Sequence, residues 1–413
     1  MRRASLLSLS AFVLAAASID CRCRKESVGD DKSAAPPAFS VSSIYELGDA
    51  RVAGADLLVA ARSKYSPEER MSYEEAVGLT TKGGARWRSR PAAHVLLGPS
   101  VKDAVVAVDS PPALNATSRQ VTMLDAATGR AQRSFEVPRA RAVWDTWLRD
   151  DATLFVIEAK TSDAPATLVA IDTTAGSVSW VHETTVVLDA NHSTVIPAPP
   201  IFTPTSVHLF CRSIFEKSGY ERDLCRFARS TGELTKSFPG PIVDASRSAA
   251  SKKILILRDH EVEAVTDEGE TLWKHALPEN YYGKRVVAGD GWLVVLTSWV
   301  RKKDEHDERV IALDLGDGHE LWAKQSSGGG EHFSSDLALS GDRAMFIANI
   351  TPEIRVFDVR GNLVLGAPLK TQFVVSTEVV GGFVEVLNGE VVMTPSLLLL
   401  ARDKVGLQGY RLP

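Results

Sequence analysis

The sequence has few cysteines and lacks the short motifs that mark common enzyme sites. Four cysteines occur in 413 residues, and no two are adjacent. The nine histidines show no His-x-His or Glu-x-x-His spacing of the kind that binds zinc. No Gly-x-Ser-x-Gly elbow and no phosphate-binding loop occurs either. We therefore predict no catalytic, cofactor-binding or metal-binding residues.

Long apolar runs are also missing, except near the N-terminus. Arg2 and Arg3 precede an apolar stretch from Leu6 to Ala17. A basic start followed by a short apolar segment is typical of a secretory signal peptide and is too short to span a membrane. We expect a signal peptide at residues 1–17, with either general or twin-arginine export, and a mature protein that is soluble or tethered.

Residues 18–42 are polar and rich in Pro, Ala and Ser, which predicts a flexible tether. Cys21 lies close behind the apolar stretch, where a bacterial lipoprotein carries its acylated cysteine. Asp20 stands where the lipidation motif has a small residue. Two interpretations stay open: lipidation at Cys21, or cleavage after Ala17 that leaves Cys21 and Cys23 in the tether.

An excess of basic charge is absent too. The formal net charge is −5 and the basic residues are scattered along the chain, which argues against nucleic-acid binding. The hydrophobic and charged fractions, 44% and 24%, are ordinary for a globular protein.

A degenerate repeat fills the remainder of the chain. Its template is Ala-x-Asp-x-x-Thr-Gly-x-x-x-Trp, seen best in ALDLGDGHELW (312–322) and AIDTTAGSVSW (170–180). The residues that fit the template are Asp125, Gly129, Asp172, Gly176, Trp180, Gly269, Trp273, Asp314, Gly318, Trp322, Asp358 and Gly361. Gly83 and Trp87 form another copy, Arg133 takes a Trp position, and Gly232 and Gly406 mark degenerate copies.

The turn glycines recur about every 46 residues, which indicates one repeat architecture and not several domains. Each turn follows two alternating, β-branched runs separated by a polar loop, which predicts strands. Adding one strand before each pair and one carrying the Trp gives four strands per repeat. We therefore predict one all-β domain over residues 43–413, built from eight four-stranded antiparallel repeats. Residues 43–48 either complete the last sheet or begin the first.

The motif has a physical explanation. The Asp accepts hydrogen bonds from turn amides, the Gly adopts a positive φ without a Cβ clash, and the Trp lies on the outermost strand and packs between neighbouring sheets. Burying a Trp removes about 150–250 Å² from water. The sequence therefore predicts structural roles for the Asp, Gly and Trp residues.

The turn motif resembles the PQQ-like repeat of quinoprotein-type β-propellers, over approximately residues 43–413. The resemblance implies that the eight repeats form an eight-bladed β-propeller with four-stranded antiparallel blades. Members of the catalytic branch hold pyrroloquinoline quinone over calcium and have an adjacent-cysteine disulfide, which this sequence lacks. The resemblance is closer to the non-catalytic BamB-like branch, which implies a binding scaffold without a cofactor, possessing a role in outer-membrane protein assembly. The alternatives are a PQQ- and calcium-dependent dehydrogenase with a degenerate channel site, and a secreted sensor or adhesin-like module.

Cys211 and Cys225 flank the segment EKSGYE, each seven residues from Ser218. In a symmetrical antiparallel hairpin they lie opposite each other, close enough for a disulfide. Export to an oxidising compartment favours the bond. We predict that it joins the two middle strands of the sheet whose turn has lost both Asp and Trp; the alternative is two free buried thiols on neighbouring strands.

Candidate binding residues come from loops expected on one face of the propeller. Tyr281, Tyr282 and Lys284 belong to one such loop, and Glu331 and His332 to another. Tyrosine is favoured at interfaces, although a tyrosine can equally close a loop by packing, and Glu331 and His332 can equally lie in a plain solvated loop. We expect a monomer, periplasmic, tethered to the outer membrane or extracellular, that binds a protein or small ligand and contacts the membrane only through a lipid anchor.

Overall fold

The computed structural model shows strands throughout the described part of the chain. It describes residues 39–41, 47–54, 57–66, 71–80, 85–97, 104–109, 118–138, 144–150, 152–161, 164–188, 200–212, 222–248, 250–302, 305–325, 337–348, 353–368, 390–393, 397–402 and 406–411. Within these ranges there is no α-helix, and none that could cross a membrane. The chain divides into two compact units, Met1–Ser33 and Ala34–Pro413, and all described residues belong to the second.

Within the described residues the strands form eight separate antiparallel sheets, which we number in chain order. Seven have the predicted four strands, whereas sheet 4 has five, because the short strand β15 also pairs with β16. β1 is Phe39–Val41. Sheet 1 contains β2 (Leu47–Gly54), β3 (Leu57–Ser66), β4 (Met71–Thr80) and β5 (Ala85–Arg88). Sheet 2 contains β6 (His94–Leu96), β7 (Val105–Val108), β8 (Ser118–Leu124) and β9 (Ala131–Pro138). Sheet 3 contains β10 (Trp144–Asp150), β11 (Thr153–Ala159), β12 (Thr167–Asp172) and β13 (Ser177–Glu183). Sheet 4 contains β14 (Val187–Leu188), β15 (Ile201–Phe202), β16 (Ser206–Arg212), β17 (Asp223–Ala228) and β18 (Leu234–Phe238).

The second half of the chain continues the scheme. Sheet 5 contains β19 (Asp244–Arg247), β20 (Ile254–Leu257), β21 (Glu261–Val265) and β22 (Thr271–Ala276). Sheet 6 contains β23 (Tyr282–Ala288), β24 (Trp292–Lys302), β25 (Glu305–Asp314) and β26 (Glu320–Gln325). Sheet 7 contains β27 (Ala338–Ser340), β28 (Arg343–Ala348), β29 (Glu353–Asp358) and β30 (Leu363–Pro368). Sheet 8 contains β31 (Glu390–Met393), β32 (Leu397–Arg402) and β33 (Gly406–Arg411), with β1 paired to β33.

The pairing of β1 corrects the predicted tether boundary. Phe39–Val41 lie in the segment assigned to the tether, yet they form the fourth strand of sheet 8 because β33 otherwise presents an unpaired edge. The first strand of sheet 1 is β2, so residues 47 and 48 begin the first sheet. β31 contacts both β27 and β2. Sheets 7, 8 and 1 are therefore successive neighbours, as in a β-propeller.

The core lies between neighbouring sheets. Middle strands are almost wholly buried: all four residues of β7 and of β20 are. Outer strands alternate between exposed and half-buried residues, as in β13. One cluster joins sheets 5 and 6 through Leu255, Leu257, Leu293 and Val295, all fully buried. A single sheet buries little on its own, so the stability of each sheet depends on its two neighbours.

The turn motif has the predicted geometry. The carboxylate of Asp125 accepts from the backbone N–H of Thr128 at 2.7 Å, and that of Asp314 accepts from Gly316 N–H at 2.6 Å. The turn glycines have positive φ, for example 69° at Gly176 and 80° at Gly318. The hydrogen bonds also lower the pKa of Asp125 and of Asp172.

Each tryptophan of the motif docks onto the turn of the next sheet. Its indole N–H donates to a backbone carbonyl there, and its ring covers the turn glycine. The donor–acceptor pairs are Trp87 and Ala126 (3.1 Å), Trp180 and Arg229 (2.9 Å), Trp273 and Leu315 (3.1 Å), and Trp322 and Val359 (3.0 Å). These four tryptophans therefore each join two neighbouring sheets.

Two cations occupy the docking position where the Trp is missing. Arg133, four residues after Gly129, donates to the carbonyls of Thr174 and Ala175 in the next turn. Lys236, four residues after Gly232, donates to the carbonyls of Glu268 and Gly269 at 3.0 and 2.9 Å. The sequence reading identified Arg133 as the replacement but missed Lys236. In these two repeats a long cationic side chain therefore replaces the indole N–H as the donor to the next turn.

A disulfide joins Cys211 in β16 to Cys225 in β17, with a Cα–Cα distance of 5.8 Å. The pairing prediction is confirmed, but the predicted register is wrong. Cys211 lies opposite Asp223, and Cys225 lies opposite Leu209. The two cysteines are diagonal neighbours because the register of this hairpin is shifted by two residues from the symmetrical one.

Candidate functional site

Two kinds of loop lie on the same face of the molecule. The linker after β22 is hydrogen bonded to the hairpin between β20 and β21: Leu277 N–H donates to His260 O, and Gly283 N–H donates to Asp259 O, both at 2.8 Å. In sheet 3, Thr184 N–H likewise donates to Ala166 O at 2.8 Å. We call this side of sheets 5 and 6 the 258–308 face. Its described members belong to 258–261, 277–284, 298–302 and 305–308.

Tyr281 is an internal support of this face. Its side chain is only 7% exposed, and its ring lies 5.7 Å from that of Trp299, which β24 contributes. Its carbonyl is 3.1 Å from Nδ1 of His260. Tyr281 therefore packs the linker against sheet 6, which is the structural alternative for this residue.

Tyr282 is exposed. Nearly half of its side chain, 47%, is accessible, and its ring centroid lies 4.6 Å from that of His260. The two rings form a small aromatic surface that is held from below, because His260 also contacts the carbonyl of Tyr281. An aromatic side chain with little freedom of movement loses little entropy when a partner covers it.

Lys284 stands beside this aromatic pair. It is the extra residue of an irregularity in the β23–β24 pairing, where Gly283 lies opposite Thr297 and Arg285 lies opposite Leu296. Such a bulge redirects a side chain. The Lys284 Nζ donates to Oε1 of Glu308 at 2.5 Å, and Glu308 is 1% exposed whereas Lys284 is 44% exposed. The lysine therefore neutralises a buried carboxylate and still presents part of its surface to solvent.

A charged cluster continues the face along sheet 5. Arg258 Nη2 lies 3.0 Å from Glu263, and Lys274 Nζ lies 2.9 Å from Glu261 and 3.2 Å from Glu263. Hydrogen bonds to the two carboxylates raise the pKa of Lys274. Positively and negatively charged side chains alternate within this cluster, which therefore forms a polar border beside the Tyr282–His260 pair.

The structure places the predicted binding residues as follows. Tyr281, Tyr282 and Lys284 lie close together on the 258–308 face, Tyr281 inside and the other two at the surface. Glu331 and His332 lie outside the described residues. His260, Trp299 and Glu308 were missed by the sequence reading. His260 could have been found, because it lies in the hairpin that the predicted topology places beside the linker carrying the tyrosines.

A second polar cluster joins sheets 4 and 5 at the opposite ends of the strands. The carboxylate of Asp267 accepts from Ser206 Oγ at 2.5 Å, from Thr203 Oγ1 at 2.9 Å and from Thr205 Oγ1 at 2.5 Å. His208 Nε2 lies 3.0 Å from Asp267. Burial works to raise the pKa of Asp267, but these hydrogen bonds outweigh it and hold the pKa below its ordinary value.

The Asp267 cluster does not form a nucleophilic triad. Ser206 Oγ and Asp267 Oδ1 both contact the same nitrogen of His208, Nε2, so the carboxylate does not orient the imidazole from its other side. Burial lowers the pKa of His208, and Ser206 is fully buried. The cluster joins sheet 4 to sheet 5, and the turn of sheet 4 is the one that lacks the Asp of the motif.

One set of possible metal ligands occurs within the described ranges: ligand atoms of Asp314, Asp317 and His319 lie within 4.8 Å of one another. These residues form an exposed turn of the repeat. The Asp314 carboxylate already accepts from Gly316 N–H, and Asp317 already contacts His319 Nδ1 at 2.6 Å. The hydrogen bonds of the turn account for all three side chains.

Comparison with known proteins supports this architecture. Residues 221–402 match the PQQ-repeat family model described as "Outer membrane protein assembly factor BamB", so the resemblance is confirmed over that part of the chain. The 258–308 face lies within the matched residues. No curated protein sequence matches the chain.

Solved structures share the fold. BamB from Moraxella catarrhalis has a TM-score of 0.55 at 14% identity, over 90% of this chain and 99% of that one. The quinohemoprotein alcohol dehydrogenase ADHIIG from Pseudomonas putida HK5 has a TM-score of 0.52 at 8% identity, over 91% of this chain and 76% of that one. The Dos1 propeller has a TM-score of 0.53 at 9% identity, over 91% and 94%. At these identities the likeness concerns the fold.

Proposed function

We propose that the chain is an exported, non-catalytic scaffold of the bacterial cell envelope that takes part in outer-membrane protein assembly. In this proposal each of the eight sheets is one blade of a closed propeller, and the 258–308 face is the docking surface for a protein partner. Residues 1–17 direct export, and Cys21 is the candidate lipid anchor.

The observation that carries the proposal is the match of residues 221–402 to a family described as an outer-membrane protein assembly factor. The exposed Tyr282–His260 pair lies within that segment. The Cys211–Cys225 disulfide supports export, since such bonds persist in oxidising compartments.

The physical features of the face suit a protein partner. Tyr282 supplies apolar area and a hydroxyl, and the ring of His260 packed against it limits its movement. Partly exposed charges surround it, as in the polar rim of an interface. Tyrosine is one of the residue types enriched at the few positions that contribute most of the binding free energy in protein interfaces.

Co-purification tests the proposal. Tagged chain, cross-linked in the native envelope, should retain subunits of the outer-membrane barrel-assembly machinery. Replacing Tyr282 with Ala should weaken retention by about 30-fold, which corresponds to about 2 kcal/mol for an interface anchor. Leu363→Ala is the matched control, because Leu363 is similarly exposed but lies on the outer strand of sheet 7.

A separate assay tests the enzymatic alternative. Purified chain is incubated with calcium and pyrroloquinoline quinone, and the bound-quinone spectrum and dye reduction are measured. Stoichiometric quinone with substrate-dependent dye reduction would replace the scaffold proposal by a dehydrogenase. Binding of neither assembly subunits nor quinone would leave the secreted sensor or adhesin-like module as the better interpretation.

A further inference from the structure

The outer strand of sheet 1 carries a row of arginines. Arg86 and Arg88 lie on β5, Arg90 lies two residues beyond its end, and all three are exposed. Trp87, between Arg86 and Arg88, donates its indole N–H to the turn of sheet 2. This segment, ARWRSR, is an exception to the scattered distribution of basic residues along the chain.

Two of the three arginines carry a positive charge that is not paired within the described residues. Within the described residues, the guanidinium groups of Arg86 and Arg88 make no hydrogen bond or ion pair. Arg90 has one acidic neighbour, Asp109; burial raises the pKa of this carboxyl, and Arg90 partly offsets the rise. Because arginine stays charged at every physiological pH, β5 presents a local positive edge on a chain whose net charge is −5.

The position of the row relates it to the N-terminal segment. The chain enters the propeller through β1, the outermost strand of sheet 8. β5 is the outermost strand of sheet 1, and sheets 8 and 1 are neighbours through β31 and β2. A lipid anchor at Cys21 would therefore attach to the outer rim of the propeller beside the sheet that carries the arginines.

We propose that Arg86, Arg88 and Arg90 bind the phosphate groups of an anionic lipid surface and hold the rim of the propeller against the membrane. Guanidinium groups bind phosphate through paired hydrogen bonds. Arg88 and Arg90 alternate along an extended backbone, so their Cα atoms are about 7 Å apart. Neighbouring arginines can thus contact separate headgroups.

Because a lipid anchor would already hold the chain at the membrane, a weak contact between the arginines and lipid phosphates is sufficient. The tether predicted from the sequence would, as a random coil of about 17 residues, have a root-mean-square span of about 20–25 Å. Tethering over such a distance gives effective concentrations in the millimolar range. Binding by the rim leaves the 258–308 face accessible to a protein partner. The inference rests on the proposed function only in assuming that the protein is exported and anchored at a membrane.

Vesicle binding tests the inference without the anchor or a protein partner. The exported, processed chain carrying Cys21→Ser is mixed with vesicles of 30% phosphatidylglycerol in phosphatidylcholine, and partitioning is measured by co-sedimentation at about 0.1 M salt. Arg86→Gln, Arg88→Gln and Arg90→Gln combined should lower the partition coefficient roughly 100-fold, about fivefold for each charge. Lys160→Gln, Lys252→Gln and Arg360→Gln combined remove the same charge from exposed sites on other sheets and should change partitioning less than threefold.

Three results would overturn the inference: equal losses in both triple variants, equal binding to pure phosphatidylcholine, or no vesicle binding together with capture of polyglutamate, which would assign the row to an acidic protein segment. Circular dichroism and the melting temperature confirm that both variants are folded. Because no partner protein is present, failure here leaves the co-purification test of the proposed function unaffected, and the reverse holds too.

Discussion

The contact between Trp273 and Gly318 allows the packing between sheets to be measured. Gly318 has φ = 80°, and a Cβ placed on it would lie 2.6 Å from Cε3 of Trp273. Alanine at this position therefore meets two separate penalties: about 1–2 kcal/mol for the left-handed backbone and about 1–3 kcal/mol for overpacking against the indole.

A double-mutant cycle separates the two penalties. We expect Gly318→Ala to lower the free energy of unfolding by about 3 kcal/mol and Trp273→Ala to lower it by about 3–5 kcal/mol. In the Trp273→Ala background the clash is gone, so Gly318→Ala should cost only about 1 kcal/mol. The coupling should therefore be about 2 kcal/mol.

Urea unfolding followed by circular dichroism measures all four proteins. Gly341→Ala is the control, because Gly341 also has positive φ, 57°, but a Cβ there would meet nothing within 4 Å. It should cost about 1 kcal/mol in either background. Additive effects of Trp273→Ala and Gly318→Ala, with no coupling, would refute the docking account.

Three further predictions concern single groups. Cys225→Ser should lower the free energy of unfolding by about 3 kcal/mol, as expected for a closed loop of this size, and reductant should then have no added effect on the urea midpoint. Burial raises the pKa of Asp244 to about 6, so the folded state binds this proton more tightly than the unfolded state does. The free energy of unfolding should therefore fall by on the order of 3 kcal/mol as pH rises from about 4 to about 6. Asp244→Asn should remove this pH dependence when unfolding is measured across that range. The pKa of Asp267 is lowered, so the contribution of its carboxylate to stability is present above about pH 4 and is lost as pH falls through the folded pKa. Asp267→Asn should therefore be less stable than wild type at pH 7 and approach the stability of wild type in acid. A constant difference at every pH would contradict this.

Much of the fold could be predicted from local chemistry. A glycine that needs positive φ, an Asp that accepts turn amides and a Trp four residues later each leave a mark in the sequence, so Gly176, Asp172 and Trp180 located a turn, a strand and a contact together. The register of the Cys211–Cys225 hairpin could not be predicted, since it depends on the conformation of the connecting loop. The strand at Phe39–Val41 was missed because three residues paired across the whole chain carry no periodic pattern.

The candidate site was only partly predictable. Tyr281 and Tyr282 are adjacent and look equivalent in the sequence, but the linker buries one against Trp299 and exposes the other beside His260. Their difference arises from contacts between sheets. Lys236 was missed for the same reason: its role depends on the turn of the next sheet, 33 residues away in the chain.

The central claim is that the 258–308 face of an exported propeller binds outer-membrane assembly proteins. The most direct measurement is quantitative co-purification of barrel-assembly subunits with wild type, Tyr282→Ala and Leu363→Ala, normalised to the amount of folded chain. The account predicts retention by wild type and by Leu363→Ala and about 30-fold less by Tyr282→Ala, as for an interface anchor, with unchanged melting temperatures. Equal retention by all three proteins, or none by wild type, would contradict it.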